Sequence, residues 1–157
     1  MTLLPDLVRE KITDLRCLAK GKIKKEGCAV KLTNIPPQRL IIDLDKPGSP
    51  LGSDKKRCDY LLVTTDGQIG DLVAVLELKR GGLDTKEAVS QLKAGARAAE
   101  KLVPKVRAIR FRPVAASGSV RKHDRVELKK PGNQIAFHGR REAVRLLSCG
   151  GFLTNVL

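Results

Sequence analysis

The sequence predicts a mixed α/β fold, a central sheet flanked by helices, on two observations. Two apolar segments, Arg57 to Thr65 and Leu72 to Lys79, are separated by Asp66-Gly67, a dipeptide that favours tight hairpin turns because both residues tolerate positive φ. An amphipathic helix over residues 84–103 then separates the second strand from a third, Val106 to Phe111. Strand, helix, strand in that order is a crossover unit, and it predicts two parallel neighbours beside the antiparallel hairpin.

The elements follow in order. Pro5 suits a first helical turn, and Leu7, Val8, Ile12, Leu15, Leu18 and Ala19 recur at helical intervals, so residues 4–20 read as one amphipathic helix stopped by Gly21. Cys28 to Leu32 and Arg39 to Leu44, on either side of Asn34-Ile35-Pro36-Pro37, read as two strands joined by a turn. Residues 45–56 carry Pro47, Gly48, Pro50 and Gly52 among charges and form a loop. Asp84 and Glu87 stand where a capping residue and its reciprocal partner belong, and Ala88, Leu92, Gly95, Ala96, Ala99 and Val103 line one face of the helix that Pro104 ends. Ala115 to Lys130 is rich in small and basic residues, and Gln134 to Phe137 and Ala143 to Leu147 read as short terminal strands. A chain of 157 residues suits one domain, here a core at about 4–113 with a C-terminal extension at 114–157.

Composition narrows the function. Lys and Arg number 31 against 17 Asp and Glu, a formal charge of +14, which favours a polyanionic partner, although such charge also serves simply to solvate a surface. One Tyr, three Phe and no Trp are too few for the stacking platforms that read splayed single strands, so backbone contact to a duplex or junction fits better. Cys17, Cys28, Cys58 and Cys149 form no CxxC pair and no zinc-finger spacing with His123 or His138, and read as reduced thiols of a cytosolic core. No basic leader precedes an apolar run and no stretch of about 18 apolar residues occurs, so a cytoplasmic protein without a membrane partner is expected.

One segment carries chemistry. Asp71 to Arg80 is almost entirely apolar until Glu77 and Lys79, which project from the same strand face because side chains alternate at period two. Folding about residues 66–70 pairs positions whose numbers sum to about 136, which sets Asp59 beside Glu77 across two antiparallel strands. Facing carboxylates repel, and a hard divalent cation with oxygen ligands removes that penalty; Mg²⁺ is the natural candidate, with Mn²⁺ as substitute. A metal-activated water, with a lysine stabilising charge, is the chemistry of phosphodiester hydrolysis. Cys58 alternates to the face opposite Asp59 and reads as a buried structural thiol.

Asp59, then Glu77-Leu78-Lys79 at the end of an apolar strand followed by a helix, resembles the PD-(D/E)XK nuclease superfamily. The resemblance implies the αβββαβ core of restriction endonucleases, with Asp59, Glu77 and the backbone carbonyl of Leu78 holding metal and Lys79 acting on water and charge. It also implies an acid on the first helix, for which Glu10 is the positional candidate, and a catalytic glutamine on the following helix, matching Gln91. Cys58 stands where the motif's name has proline, a degenerate position in the superfamily.

The expectation is therefore a Mg²⁺-dependent nuclease acting on DNA, with RNA as the other polyanion. Lys56, Arg57, Arg80, Arg121, Lys122, Arg125, Arg140 and Arg141 are candidate backbone contacts. Small nucleases often dimerise so that two sites meet two strands, so a homodimer or a protein-complex partner is compatible with this reading. The competing expectation is a non-catalytic nucleic-acid-binding or assembly module on the same fold, in a defence or mobile-element complex.

Overall fold

Residues 72–76 are apolar without interruption, and a strand of that pattern is stable only when both its faces are covered. The computed structural model, which describes residues 2–52, 56–68, 70–105 and 108–157, covers them with two separate layers. In chain order the elements are α1 (Leu4–Glu10), β1 (Leu18–Ala19), β2 (Ile23–Lys25), β3 (Cys28–Val30), β4 (Arg39–Asp43), β5 (Tyr60–Asp66), β6 (Gly70–Gly82), α2 (Thr85–Leu102), β7 (Ile109–Ser119), α3 (Lys122–Leu128), β8 (Ile135–Phe137), β9 (Arg140–Glu142) and β10 (Arg145–Ser148). Six of the strands form one mixed sheet in the order β1-β4-β5-β6-β7-β10. Its β1–β4, β4–β5 and β5–β6 pairs are antiparallel, and β6–β7 and β7–β10 are parallel.

Alternation along β5 and β6 divides the core. Leu61, Val63, Val73 and Val75 face α1 and α2, packing with Leu4, Val8, Ala88, Leu92 and Ala99. Tyr60, Leu62, Ala74, Leu76 and Leu78 face the other way, against Ile23, Cys28 and Val30 of the β2–β3 hairpin and Leu153 near the C-terminus. The Asp84 carboxylate caps α2, accepting from the Glu87 N–H at 3.1 Å. Midway along α2, Gly95 has no room for a side chain: a Cβ there would lie 2.7 Å from Cys58 Sγ and 3.3 Å from Val75 Cβ. The helix is thus seated directly on the start of β5 and the centre of β6.

Four expectations change. The helix expected over 4–20 stops at Glu10; the Asp14 carboxylate accepts the Arg16 N–H at 3.0 Å and caps a 3-10 turn, Leu15 is 61% exposed, and Leu18 pairs with Ile42 at the sheet edge. The strands at Cys28 and Arg39 do not pair with each other, because β3 pairs with the unforeseen β2 while β4 joins β1 and β5. Cys28 and Cys149 are joined in a disulfide, 121 residues apart in sequence, which leaves Cys17 and Cys58 as free, buried thiols. The boundary at 113 falls inside β7, and β10 takes the sheet edge beside that strand, so the C-terminal residues belong to the sheet. Of the strand expected at Val106 to Phe111, Val106 and Arg107 lie outside the described residues. Among the described residues no helix is long and apolar enough to cross a membrane.

Alanine is a better helix former than glycine by about 1 kcal/mol, yet overpacking a close contact costs about 1–3 kcal/mol. Gly95→Ala is therefore expected to destabilise the fold in urea unfolding, and to do so less in a Cys58→Ala background. A stabilised Gly95→Ala variant would contradict the seating of α2 on Cys58.

Candidate active site

The C-terminal end of β6 is where the apolar interior meets charge. In the β5–β6 ladder Tyr60 pairs with Leu76 and Leu61 with Val75, so partners sum to 136 and the next position sets Asp59 against Glu77. Both acids are buried, each only 7% exposed. Glu77 lies on the α2 side of the sheet, as do Val73 and Val75.

The two carboxylates are treated differently by their surroundings. Asp59 is supported: the Leu78 N–H donates to its Oδ2 at 2.8 Å, and the Lys25 ammonium lies 3.2 Å from its Oδ1. Lys25 also pairs with Asp45, which in turn accepts from Arg57 Nε at 3.4 Å. Glu77 lacks such support, and its Oε1 is buried without a hydrogen-bond partner among the described residues. Burial, then the Asp59 charge and a hydrogen bond to Asp59, push the Glu77 carboxyl up to about 9, against a smaller opposing effect of Lys25. Glu77 therefore tends to hold its proton, as expected of a carboxyl pressed against a second one in a poorly solvated site.

Lys79 and Gln91 meet Glu77. All three line a cleft of about 40 Å³ with Leu83, Asp84, Glu87 and Ala88. Lys79 is on the same side of β6 as Glu77, and Gln91 comes from the second turn of α2. Beyond Lys79 the β6–β7 register shifts before Gly82, and Ser117 Oγ donates to the Gly81 carbonyl at 2.9 Å. A Cβ on Gly118 would run into the Arg80 carbonyl, so glycine is required where β7 crosses this irregularity.

Other expected residues are distributed less uniformly. Glu10 is exposed on α1 and is not among the residues lining the cleft, so the acid expected from the first helix is not brought in. Leu78 presents its N–H to Asp59, which ties that acid to the residue whose carbonyl was expected as a ligand. Lys56 and Arg80 are exposed near the same end of the sheet, while Arg57 donates to the carbonyls of Gly52 at 2.9 Å and Leu44 at 2.8 Å and so braces the loop before β5. Arg121 donates to the Leu83 carbonyl at 3.4 Å and pairs with Asp124, ahead of exposed Lys122 and Arg125 on α3. Arg140 and Arg141 sit on β9, away from the cleft. His123 is exposed, and His138 Nε2 lies 2.8 Å from the Val103 carbonyl, a packing role.

Two features were not anticipated. Lys25 and Asp45 join Asp59; the alternation of buried Ile23 with Lys25 on β2 would have pointed Lys25 inward. Cys58 packs on the α2 side of the sheet, against Gly95, just before the regular strand begins. Its thiol is pushed well above its ordinary value by burial, then by Glu77 and Asp59, which makes it an inert packing group.

The Glu77 shift has a definite sign. Its folded value lies above its unfolded one, so the stability it contributes is complete below about pH 4.5 and is lost as pH rises toward about 9. Unfolding free energy of the metal-free protein is expected to fall across that window, and Glu77→Gln is expected to flatten the decline; an unchanged pH profile in the variant would remove Glu77 as its source.

No family model, no curated protein and no solved structure matches this chain.

Proposed function

We propose that the chain is a Mg²⁺-dependent nuclease hydrolysing DNA phosphodiester bonds on a restriction-endonuclease-like core of the PD-(D/E)XK kind. The observation that carries this reading is the buried Asp59–Glu77 pair, opposed across β5 and β6, with Lys79 and Gln91 beside Glu77. The succession of α1, the antiparallel β4–β5–β6 meander, α2 and a β7 parallel to β6 supports the αβββαβ assignment.

The residues fit a small hard cation. Glu77 Oε1 is orphaned beside a second carboxylate, and Mg²⁺ is commonly held by one or two carboxylates with waters and substrate oxygens completing its shell. Among the described residues no group of three His, Cys, Asp or Glu is arranged to cage a metal, so the pair and the Leu78 carbonyl are the proposed ligands. When bound, the ion supplies Lewis acidity toward a phosphate oxygen and a more acidic water.

The protein's own groups do the rest. Asp59 is fixed in place by the Leu78 N–H. Glu77 would give up its proton in order to hold a cation. Lys79 and Gln91 line the cleft with Glu77, so Lys79 would stabilise charge developing on phosphorus and orient the attacking water, and Gln91 would hold that water from the α2 side. Lys25 shields Asp59 in the absence of the ion.

A second reading is favoured by a specific observation. Lys25 and the Glu77 proton already neutralise the acid pair without metal, as in a module that binds nucleic acid or assembles with other proteins and does not cut. Incubation of linear, circular, single-stranded and branched DNA with Mg²⁺, Mn²⁺ or EDTA separates the two. Metal-dependent cutting is expected, reduced by about 10²–10³-fold in Lys79→Ala and lost in Asp59→Asn. Binding without cutting under every condition would establish the second reading.

The basic residues at this end give a further expectation. Replacing Arg80, Lys122 and Arg125 with alanine should reduce the slope of log affinity against log salt by about three units, because each phosphate neutralised contributes about 0.9. An unchanged slope would place the nucleic-acid interface elsewhere.

A further inference from the structure

At the opposite end of the sheet lies a second place where charge is buried and incompletely neutralised. β10 pairs with β7 only from Val114 to Ser117, so the edge of β7 from Ile109 to Pro113 has no ladder partner on that side among the described residues. A cleft of about 490 Å³ opens there, lined in part by Arg110, Arg112, Phe137, Arg140 and Glu142. Along β6, Asp71 at this cleft and Glu77 at the acid pair are six residues apart, about 20 Å at ~3.3 Å per residue.

Arg112 is the anomalous group. Its side chain is only 16% exposed and its Nε is buried with no hydrogen-bond partner among the described residues. Its Nη1 donates to the Phe111 carbonyl at 2.9 Å, while the Glu142 carboxylate stands 3.9 Å away, too far for a hydrogen bond. Burial and the charges of Arg145 and Arg110 act against its ionisation, and Glu142 only in part restores it. A buried guanidinium with an idle N–H and like charges around it is costly unless an anion completes it.

We infer that this cleft binds a phosphoryl group, with Arg112 and Arg110 as its principal anion ligands and Arg140 at its rim. Guanidinium forks match phosphate oxygens in geometry, and the unused Nε–H is the donor such an oxygen would take. Phe137, stacked on Phe111 at 4.5 Å between centroids, gives the cleft an apolar wall on the α2 side. The volume suits a mononucleotide, and the open mouth also admits one phosphodiester of a longer strand. The site is separate from the acid pair and does not depend on the nuclease reading.

Calorimetric titration in EDTA, which silences any metal site, tests it with inorganic phosphate, a nucleoside monophosphate, the unphosphorylated nucleoside and a short duplex. Phosphate and the monophosphate are expected to bind, the nucleoside is not, and Arg112→Met and Arg110→Ala should each weaken binding by about tenfold or more, the worth of a charge-assisted hydrogen bond. Arg112→Met should unfold no more easily than wild type in phosphate-free buffer, because it removes a largely buried charge that Glu142 only partly compensates. If it fails to fold, exposed Arg110→Ala still reads the site. Weakening confined to the monophosphate identifies a free nucleotide, and weakening confined to the duplex identifies a backbone phosphate; either supports the site. No binding of any phosphorylated probe, equal binding of the nucleoside, or binding undiminished in both variants would overturn it.

Discussion

The antiparallel register of β5 on β6 is the constraint on which the other features depend. With Tyr60 opposite Leu76, the odd positions of both strands face α2 and the even positions face the β2–β3 hairpin. A slip of one residue would exchange the two apolar sets and turn Asp59 away from Glu77, so the same hydrophobic pattern that fixes the core also fixes the acid pair. Burying two carboxylates together is unfavourable, and the fold answers with a backbone N–H from Leu78, an ammonium from Lys25 and a retained proton on Glu77. Lys25 can serve because its hairpin is held over β6, where Cys28 is bonded to Cys149 and the Gly150 N–H donates to the Ala29 carbonyl at 2.6 Å.

What was legible in the sequence was what repeats locally. Residues 72–79 and 84–103 carry long patterns of period 2 or 3.6, and β6 and α2 formed close to the expected bounds. The Asp66-Gly67 signal gave the register well enough to set Asp59 against Glu77, whereas Gln91, which lines the same cleft as Glu77, came only from the family resemblance. The helix over 4–20 was over-read because Leu15 and Leu18 keep helical spacing while Asp14 offers its carboxylate to the Arg16 N–H and ends the pattern, a local competition that periodicity does not weigh. Three-residue strands such as β2 and β9 are too short for any period to register.

The parts of both charged sites that were not legible share one cause. Lys25 and Asp45 reach Asp59 from a hairpin and a loop well upstream, and the disulfide spans 121 residues; no local spacing encodes such meetings. Arg112 is similar: Arg110-Phe111-Arg112 reads as an ordinary alternating strand with basic residues outward. It becomes unusual only because Arg145 arrives beside it on β10 while β7 remains open at that end.

The two sites are complementary in sign and placed at opposite ends of the strands that carry them. At one end, two carboxylates have too little positive charge; at the other, arginines have too little negative charge. A buried polar group without its partner costs about 1–3 kcal/mol, and a domain whose total stability is about 5–15 kcal/mol carries few of these by accident. Apolar replacements of similar volume would be cheaper in both places. Glu77 Oε1 and Arg112 Nε are the orphaned atoms on which the proposed cation and anion sites rest. The net charge of +14 differs in kind: under the proposed readings it would act at long range on any polyanion, whereas the two sites would act only at contact.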